Sequence, residues 1–338
     1  MGGKRRVTLL MCIFIIVGSV SGCFSKPEHA SKNSAIESYL DIPGITQEES
    51  TAIEALKASR QSFSFGRLRS TEGFELPDGN YAGFSSFFCG FMSDLFGIPF
   101  VLEFYEWDTL TDGINSAAID FTSEYAVTAE RKNTYIMSDP VAQRTLSILT
   151  YGSRRIESPG DLEGLKVGIL FQESAIIESI TKVYPEVTFE MVPIVSASDE
   201  AGMLRNGDID ALICSSMRMS YDYSGTDCTV WSDILPLAYI HCALTTTNPE
   251  LEPVISVLDK YIAAGGMKKL YELYGAGEDE YKRNLLFQSL TDEERAYINS
   301  LTAKIPIVMG TDTYPVSFYN EREEEFQGIS MDALMLIS

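Results

Sequence analysis

The sequence predicts an α/β fold of two lobes, each built on a mainly parallel sheet flanked by helices, with a ligand cleft between the lobes. Predicted strands and helices alternate along most of the chain, which is typical of parallel sheets. One unit also occurs twice: a helix, a tight stop, and an Ile-Asp pair entering an apolar strand, at Ile119-Asp120 and again at Ile209-Asp210. Two such units in order indicate two lobes of similar construction, and parallel strands place a cleft at their carboxyl ends.

Local cues define the elements of the first lobe. Thr46 precedes an acidic-fronted amphipathic helix, and Pro77-Asp78-Gly79 is a turn signal between short strands. After Gly83, apolar residues recur at the spacing of a helix that packs on a sheet. The predicted elements are a helix from Thr46, a strand at 62–66, a hairpin, a helix from Ser85 to Phe96, a strand from Ile98 to Tyr105, and a helix capped by Asp108 or Thr109.

The second lobe begins at Ser158-Pro159-Gly160-Asp161, where Asp161 caps a single turn. A buried strand from Lys166 to Leu170, a crossover helix from Ser174 to Val183 and a strand from Asp210 to Cys214 follow. The chain then passes a polar stretch and returns to the first lobe. The returning elements are a strand from Leu237 to Thr245, a helix from Asn248 to Ile262 that Gly265-Gly266 breaks, and a closing helix from Met267 to Tyr274.

Composition excludes several classes of function. With 338 residues, 45% of them hydrophobic, the chain can bury one large core or two medium ones. A formal net charge of -22 argues against nucleic acid or an anionic membrane surface as a partner, because both would be repelled. The two histidines, His29 and His241, argue against a histidine-based zinc site or a Ser-His-Asp triad. We expect no metal and no cofactor.

The N-terminus has the layout of a secretory signal. Lys4-Arg5-Arg6 precedes an apolar run from Val7 to Val17, and small residues then lead to Cys23. This end resembles a bacterial lipobox, which predicts a signal peptide over 1–23 and lipidation of Cys23. The alternative is an uncleaved anchor helix, although the run is short for a span of about 20 residues. Either reading places the remaining chain outside the cytoplasm, anchored to the outer face of the membrane, with residues 24–45 as a tether.

Four cysteines lie beyond the predicted signal: Cys89, Cys214, Cys228 and Cys242. Export permits disulfide formation, but the sequence contains no C-x-x-C, and the spacings match no metal site. Buried thiols and a disulfide bridge therefore both remain open.

The segment from Asp120 to Val141 carries the predicted ligand site. It opens as an apolar strand, passes through Thr128-Ala129-Glu130-Arg131, and ends at Met137-Ser138-Asp139-Pro140. An arginine just beyond the carboxyl end of a strand, beside hydroxyls and backbone amides, is well placed to hold a carboxylate with two hydrogen bonds. The alternative is that Arg131 pairs with Glu130 or Asp139 on a solvated surface.

The same segment resembles the T-x-E-R pattern of the bacterial extracellular solute-binding proteins of family 3. The resemblance covers roughly residues 46–285 and includes Asp161-Leu162-Glu163-Gly164 and Asn248-Pro249-Glu250-Leu251. It implies the bilobal type 2 fold of periplasmic binding proteins, with lobe 1 at about 60–148 and 237–285 and lobe 2 at about 149–236. By this resemblance Arg131 grips a ligand carboxylate and Phe74 stacks on the ligand. The full set of predicted ligand-binding residues is Phe74, Glu124, Tyr125, Thr128, Arg131, Gln172, Ser174 and Ser215.

Several ligand positions depart from the amino-acid-binding pattern of the family. Ala126 stands where a hydroxyl usually binds ligand, and the segment from Gly168 to Ser174 lacks the glycine-rich loop whose amides would hold an anion. The acid that usually binds an α-ammonium group is replaced by Cys214-Ser215-Ser216. A carboxylate-bearing ligand is expected through Arg131 and Thr128, whereas an ordinary α-amino acid would require Glu124 to bind its ammonium group.

The C-terminal segment resembles the start of another domain of this family. After a linker at 286–303, residues 304–338 contain a strand, an aromatic and proline-bearing loop, and Gly328 before a helix start. Tandem domains of this kind occur in receptor histidine kinases and diguanylate cyclases, so a truncated second domain is predicted. The alternative is a strand and helix that pack on the single domain.

Three functions follow in order of preference. The first is a non-catalytic sensor or receptor domain that closes on a small solute and acts on a downstream signalling module. The second is a lipid-anchored component that delivers solute to an ABC permease. The third is a dehydratase-like enzyme in which Glu124, near Arg131, would serve as a general acid or base.

Overall fold

A computed structural model describes residues 36–170, 175–223, 226–301 and 306–337. The predicted signal peptide and Cys23 lie outside the described residues, as do the predicted ligand-binding residues Gln172 and Ser174. Among the residues described, no helix has both the length and the apolar character needed to cross a membrane.

The first lobe is built on parallel strands. Its elements are α1 (Gln47–Ser59), β1 (Phe63–Arg67), β2 (Phe74–Glu75), β3 (Tyr81–Ala82), α2 (Phe84–Phe96), β4 (Phe100–Phe104), α3 (Trp107–Asn115), β5 (Phe121–Thr122) and α4 (Ala129–Thr134). Strand β1 lies parallel to both β4 and β5. The predicted cap of α3 was wrong, because the extended backbone ends at Glu106 and leaves Asp108 inside the first helical turn.

One long strand belongs to the sheets of both lobes. Strand β6 (Ile136–Tyr151) pairs in its first half with β11 (Tyr239–Thr246). From Leu146 onward it pairs with β9 (Ala211–Ser215) and then with β10 (Cys228–Trp231). The sheets of the two lobes therefore share β6, which we call the hinge strand.

The second lobe repeats the plan of the first. Its parallel strands lie in the order β9, β7, β8. Besides β9 and β10, this lobe contains β7 (Lys166–Leu170), α5 (Ala175–Val183), β8 (Glu190–Ile194), α6 (Ala197–Asn206) and α7 (Ser216–Asp222). Helix α7 and strand β10 lie in the polar stretch, and α7 is fixed there because Met219 packs with Leu149 and Leu212 in the core of this lobe.

The repeated Ile-Asp pair performs the same structural task in both lobes. Asp120 accepts hydrogen bonds from the backbone N–H of Ser64 (2.9 Å) and from Arg60 Nη1 (2.7 Å). Asp210 likewise accepts from the backbone N–H of Lys166 (3.0 Å) and from Arg154 Nη2 (2.7 Å). Each aspartate thus ties the start of the neighbouring parallel strand, which confirms the prediction of two α/β lobes.

The chain returns to the first lobe through α8 (Glu252–Tyr261), a kink at Gly265 (φ 99°), α9 (Met267–Ser289) and α10 (Asp292–Ser300). Helix α9 is much longer than the predicted helix from Met267 to Tyr274, and it crosses the predicted domain boundary at 285. The reason is a continuous buried stripe on α9, formed by Leu270, Gly277, Tyr281 and Asn284, that the polar residues between them conceal in the sequence.

Both ends of the described chain pack on the domain. Tyr39, within the predicted tether, is buried, and its ring stacks on Phe96 with centroids 6.0 Å apart. The C-terminal segment forms β12 (Asp312–Thr313), β13 (Ser317–Asn320), β14 (Glu325–Gln327) and α11 (Ile329–Ile337). Arg283 on α9 donates to the backbone carbonyl of Met335 on α11 (3.4 Å).

The C-terminal segment repeats a detail of the opening of the first lobe. Gly83 (φ 91°) precedes α2 as Gly328 (φ 114°) precedes α11. A Cβ on Gly83 would lie 2.8 Å from the carbonyl oxygen of Glu72, and one on Gly328 would lie 2.7 Å from that of Pro315. Both positions therefore require glycine for two reasons, the positive φ and the close approach of a loop.

Candidate ligand cleft

The cleft edge of lobe 1 lies at the carboxyl ends of β1 and β5. Such an edge is the usual ligand position in open α/β sheets. The loop after β1 also meets lobe 2 here, because the backbone N–H of Thr71 donates to the carbonyl oxygen of Met217 on α7 (3.4 Å).

Four charged residues meet at this edge, and we call them the charged cluster: Arg67, Glu72, Glu124 and Arg144. Arg144 Nε donates to Glu72 Oε1 (2.9 Å), while its Nη2 donates to Glu72 Oε2 (2.8 Å) and to Glu124 Oε2 (3.0 Å). Arg67 Nη2 donates to Glu72 Oε2 (2.6 Å). Arg67 Nε also lies 2.8 Å from Glu124 Oε1, as a close ion pair without hydrogen-bond alignment. The cluster contains two positive and two negative side chains, so it is neutral as a unit.

Burial makes this pairing obligatory. Arg67, Glu72 and Arg144 are 0%, 2% and 6% exposed. Burial by itself would raise the pKa of Glu72, but the charges of Arg144 and Arg67 outweigh burial and lower the pKa to about 2. Glu72 is therefore a carboxylate at neutral pH. An isolated charge at this depth would cost several kcal/mol, and its partners offset that cost.

Neutral groups complete the hydrogen bonding of the cluster. The hydroxyl of Tyr274 on α9 donates to Glu72 Oε1 (3.0 Å), and the backbone N–H of Leu68 donates to Glu124 Oε1 (3.2 Å). Arg67 Nη1 donates to the hydroxyl of Ser123. The cluster thus joins β1, the loops after β1 and β5, the hinge strand and α9.

Local structure places each member of the cluster. Arg67 is the last residue of β1, and the pairing of Arg144 with Ile240 fixes its strand position just before β6 changes partner from β11 to β9. Glu72 lies in a tight turn in which the backbone N–H of Ser70 donates to the carbonyl oxygen of Gly73 (2.8 Å).

Three of the predicted ligand-binding residues lie together beside Glu124. Thr128 caps α4 by accepting a hydrogen bond from the backbone N–H of Arg131 (3.1 Å). The guanidinium of Arg131 lies over the ring of Tyr125 (5.2 Å) and donates through Nη1 to the carbonyl oxygen of Ala126 (3.2 Å). Tyr125 is itself buried between Trp107 and Tyr135. The sequence segment therefore folds back on itself, and its arginine is half-buried rather than spread on a solvated surface.

Phe74 and Ser215 occupy different surroundings. Phe74 is buried and packs edge to face on Tyr281 of α9 (5.2 Å), so stacking on a ligand would require one of these rings to move. Ser215 is buried at the end of β9 opposite Leu146 of the hinge strand.

The hydroxyl of Ser216 lies next along the chain and forms a small network near the hinge. It accepts a hydrogen bond from Thr145 Oγ1 (2.9 Å) and lies 2.8 Å from Ser147 Oγ. Thr145 and Ser147 belong to β6, whereas Ser216 begins α7. Lobe 2 therefore presents neutral hydroxyls beside the change of strand partner.

Arg67, Glu72 and Arg144 were not among the residues predicted from the sequence. A signal was present, because Arg67 ends a strand rich in phenylalanine and Arg144 interrupts an apolar strand. A charge inside a buried strand requires an opposite charge nearby. The sequence does not show which acid supplies it, since Glu72 and Arg144 are distant along the chain.

The cysteines of the described chain are free thiols. Cys89 and Cys242 are buried thiols, and burial raises their pKa values to about 12 and about 11. Within the described ranges, no group of three or more His, Cys, Asp or Glu side chains is arranged to hold a metal ion.

Comparison with known proteins establishes the family. Residues 69–276 match the model of the bacterial extracellular solute-binding proteins, family 3. This span is more than half of the chain and contains three of the four members of the charged cluster, Glu72, Glu124 and Arg144. The chain belongs to this family. Among curated proteins, it is 23% identical over 207 residues to a probable histidine-binding protein of Neisseria gonorrhoeae, an alignment that covers 59% of this chain and 77% of the relative.

Solved structures agree on the fold of this family 3 protein. The periplasmic domain of BvgS from B. pertussis is 19% identical, with a TM-score of 0.54 over 76% of this chain and 48% of that chain. The periplasmic VFT2 domain of Bordetella pertussis BvgS is 18% identical, with a TM-score of 0.52 over 67% of this chain and 97% of that chain. These likenesses, with the observed sheets, confirm the type 2 periplasmic-binding-protein fold. This chain spans about half the length of the larger BvgS structure.

Proposed function

We propose that this family 3 protein is an extracytoplasmic, non-catalytic sensor domain that binds a small carboxylate-bearing solute in the cleft between its lobes. The observation that carries the proposal is the position of Arg131. It follows the carboxyl end of β5, where the Tyr125 ring and the Ala126 carbonyl orient its guanidinium. A guanidinium held in this way presents a planar set of donors that matches a carboxylate.

The hinge strand supplies a route for closure. Strand β6 pairs with β11 in its first half and with β9 of lobe 2 in its second, so bending at the change of partner near Leu146 moves lobe 2 relative to lobe 1. A solute that contacts both lobes would favour the closed arrangement over the open one.

Helix α9 is suited to report that movement. Its Tyr281 packs on Phe74 of lobe 1 and contacts Tyr221 of lobe 2 (6.4 Å), and its hydroxyl donates to the carbonyl oxygen of Ser220 (3.5 Å). The helix leads through α10 toward the C-terminal segment. The resemblance of that segment to the opening of lobe 1 supports a second domain in tandem, and therefore a receptor.

The second candidate is a substrate-binding component of an ABC importer, anchored at the membrane through lipidated Cys23. The observation in its favour is the Neisseria relative, whose description is that of a binding protein and of which the alignment covers 77%. A permease that binds this chain would support it, whereas the tandem arrangement favours the sensor.

A thermal-shift screen tests the proposed function. The chain from residue 24 onward would be melted with organic acids, amino acids, polyamines and short peptides. A solute that binds only the native state raises the melting temperature by mass action. We expect a rise with small carboxylates and none with polyamines. A cooperative melt that no compound shifts would contradict the proposal and point to a domain that only spaces its neighbours.

A further inference from the structure

We infer that the solute recognised by this cleft carries a carboxylate but no neighbouring ammonium group, because Glu72 and Glu124, the buried acids at the cleft edge of lobe 1, are held by the protein's own arginines. This inference rests on the proposed function and narrows its substrate class to acids that lack an α-amino group.

Within the described ranges, the three carboxylates that are more than nine-tenths buried, Glu72, Glu124 and Glu200, each have an arginine partner. Glu72 and Glu124 are bound by Arg144 and Arg67 in the charged cluster. In lobe 2, Glu200 accepts hydrogen bonds from both terminal nitrogens of Arg218 (3.0 and 2.7 Å). The two buried carboxylates at the cleft edge of lobe 1, Glu72 and Glu124, therefore already bridge guanidinium groups.

A ligand ammonium would gain nothing from the neutral cluster. Glu124 already accepts a hydrogen bond from Arg144 Nη2 and lies 2.8 Å from Arg67 Nε, so an ammonium group that shared this carboxylate would lie close to two guanidinium groups. Breaking one partner away from a buried ion pair leaves an uncompensated charge, which is costly. A ligand without the ammonium avoids this cost and keeps its contact with Arg131.

Arg144 cannot leave the cluster easily, because its backbone is fixed on both sides. It pairs with Ile240 of β11, and two residues later β6 pairs with Ser215 of β9. An intramolecular guanidinium held at such a position acts at a high effective concentration. It therefore outcompetes an ammonium group that arrives from solution.

Matched pairs of acids test the inference on the unaltered protein. Each pair shares its carbon skeleton and differs only in the amino group: glutarate against L-glutamate, succinate against L-aspartate, and propionate against L-alanine. Calorimetric titration would give both affinities. We expect at least one acid to bind tenfold or more tightly than its amino counterpart. An amino acid that binds as tightly as its partner, or more tightly, overturns the inference and leaves the proposed function intact.

A joint failure of the proposed function and of this inference would give a different result. If no member of any pair binds while the protein melts cooperatively, the proposed function fails and the inference fails with it. These two results are distinguishable, because only the first includes a measured affinity.

A variant adds a second measurement. Arg144→Met keeps an unbranched apolar stem but removes the guanidinium group, which leaves the cluster with a net negative charge and room for a ligand cation. Arg154→Met is the matched control, since Arg154 is exposed and pairs with Asp210. In a folded Arg144→Met protein, the preference for the acid over the amino acid should fall by tenfold or more, and Arg154→Met should leave it unchanged. An unchanged preference in folded Arg144→Met overturns the inference; if that variant does not fold, the acid pairs on the unaltered protein decide it.

Discussion

Arg144 of the hinge strand and Glu72 of the loop after β1 form a two-point ion pair, from Nε to Oε1 (2.9 Å) and from Nη2 to Oε2 (2.8 Å). The pair is almost fully buried, and it joins the strand shared by both lobes to the edge of the cleft. The pair therefore links the hinge strand to the cleft edge and also compensates the charge of two buried side chains.

Replacing Glu72 should destabilise the fold. In Glu72→Gln the shape is kept, but two buried arginines lose the carboxylate that compensates them, which should lower the free energy of unfolding by about 3 kcal/mol or more. Urea denaturation measures this change. Glu157→Gln is the control, because Glu157 is exposed and lies 3.6 Å from Arg155, and an exposed pair of this kind contributes about 0.5 kcal/mol or less. Equal midpoints for the two variants would contradict the importance of the cluster.

The same carboxylate predicts a pH dependence. The pKa of Glu72 in the folded protein is about 2, below its ordinary value of 4.5, so its ion pairs stabilise the protein above pH 4.5. That contribution is lost as the pH falls from 4.5 toward 2. The difference in unfolding free energy between wild type and Glu72→Gln should therefore be largest near pH 7 and shrink below pH 4.5. A difference that stays constant down to pH 3 would show that Glu72 does not act as a carboxylate.

Asp259 on α8 should make the folding stability depend on pH in the opposite direction, with a stabilising contribution at low pH. Burial raises its pKa to about 6, although the backbone N–H of Asp139 donates to Oδ1 (2.6 Å) and partly offsets burial. A raised acid pKa stabilises the folded state at low pH, and this contribution is lost as the pH rises through about 6. Asp259→Asn should therefore raise stability by about 1 kcal/mol at pH 8 and much less at pH 4. Equal effects at the two pH values, measured by thermal unfolding, would contradict the assignment.

Replacing either of two glycines in α9 by alanine should change the folding stability, and the two changes should have opposite signs. A Cβ on Gly277 would lie 2.2 Å from the backbone nitrogen of Phe84, so Gly277→Ala must push α9 away from α2 and should cost about 2 kcal/mol or more. A Cβ on Gly275 meets nothing within 4 Å, and Gly275→Ala should stabilise the helix by about 0.5 to 1 kcal/mol. Chemical denaturation compares the two. A stabilising Gly277→Ala would show that α9 does not approach α2 as closely as described.

Arg131 should matter for binding and not for folding. Loss of a charge-assisted, two-point contact to a carboxylate in Arg131→Ala should weaken the affinity for a solute found in the screen by about 2 kcal/mol or more. Lys132→Ala is the control, since it removes a positive charge from the next residue of α4. Titration calorimetry gives the affinities and a thermal melt confirms folding. Unchanged affinity in Arg131→Ala would remove Arg131 from the site.

The fold was accessible from the sequence because its determinants are local. The two Ile-Asp pairs, the turn signals and the helix cap at Thr46 each act within a few residues, and α1, the hairpin of β2 and β3, and the strands β5 and β9 form beside them. The charged cluster was not accessible, because Glu72 and Arg144 meet only after β6 has crossed to its place in the sheet. The length of α9 was underestimated for a similar reason, since Tyr281 is buried by partners in both lobes.

The place of β11 between β5 and β6 has a consequence for synthesis on the ribosome. Strands β5 and β6 leave the ribosome early, but the strand that lies between them is made only after the entire second lobe. Until β11 is synthesised, the sheet of lobe 1 lacks the strand between β5 and β6. At that stage lobe 2 already has β7, β8, β9 and the second half of β6. The second lobe is the first part of this protein whose sheet can be completed during translation, and the arrival of residues 239–246 closes the other.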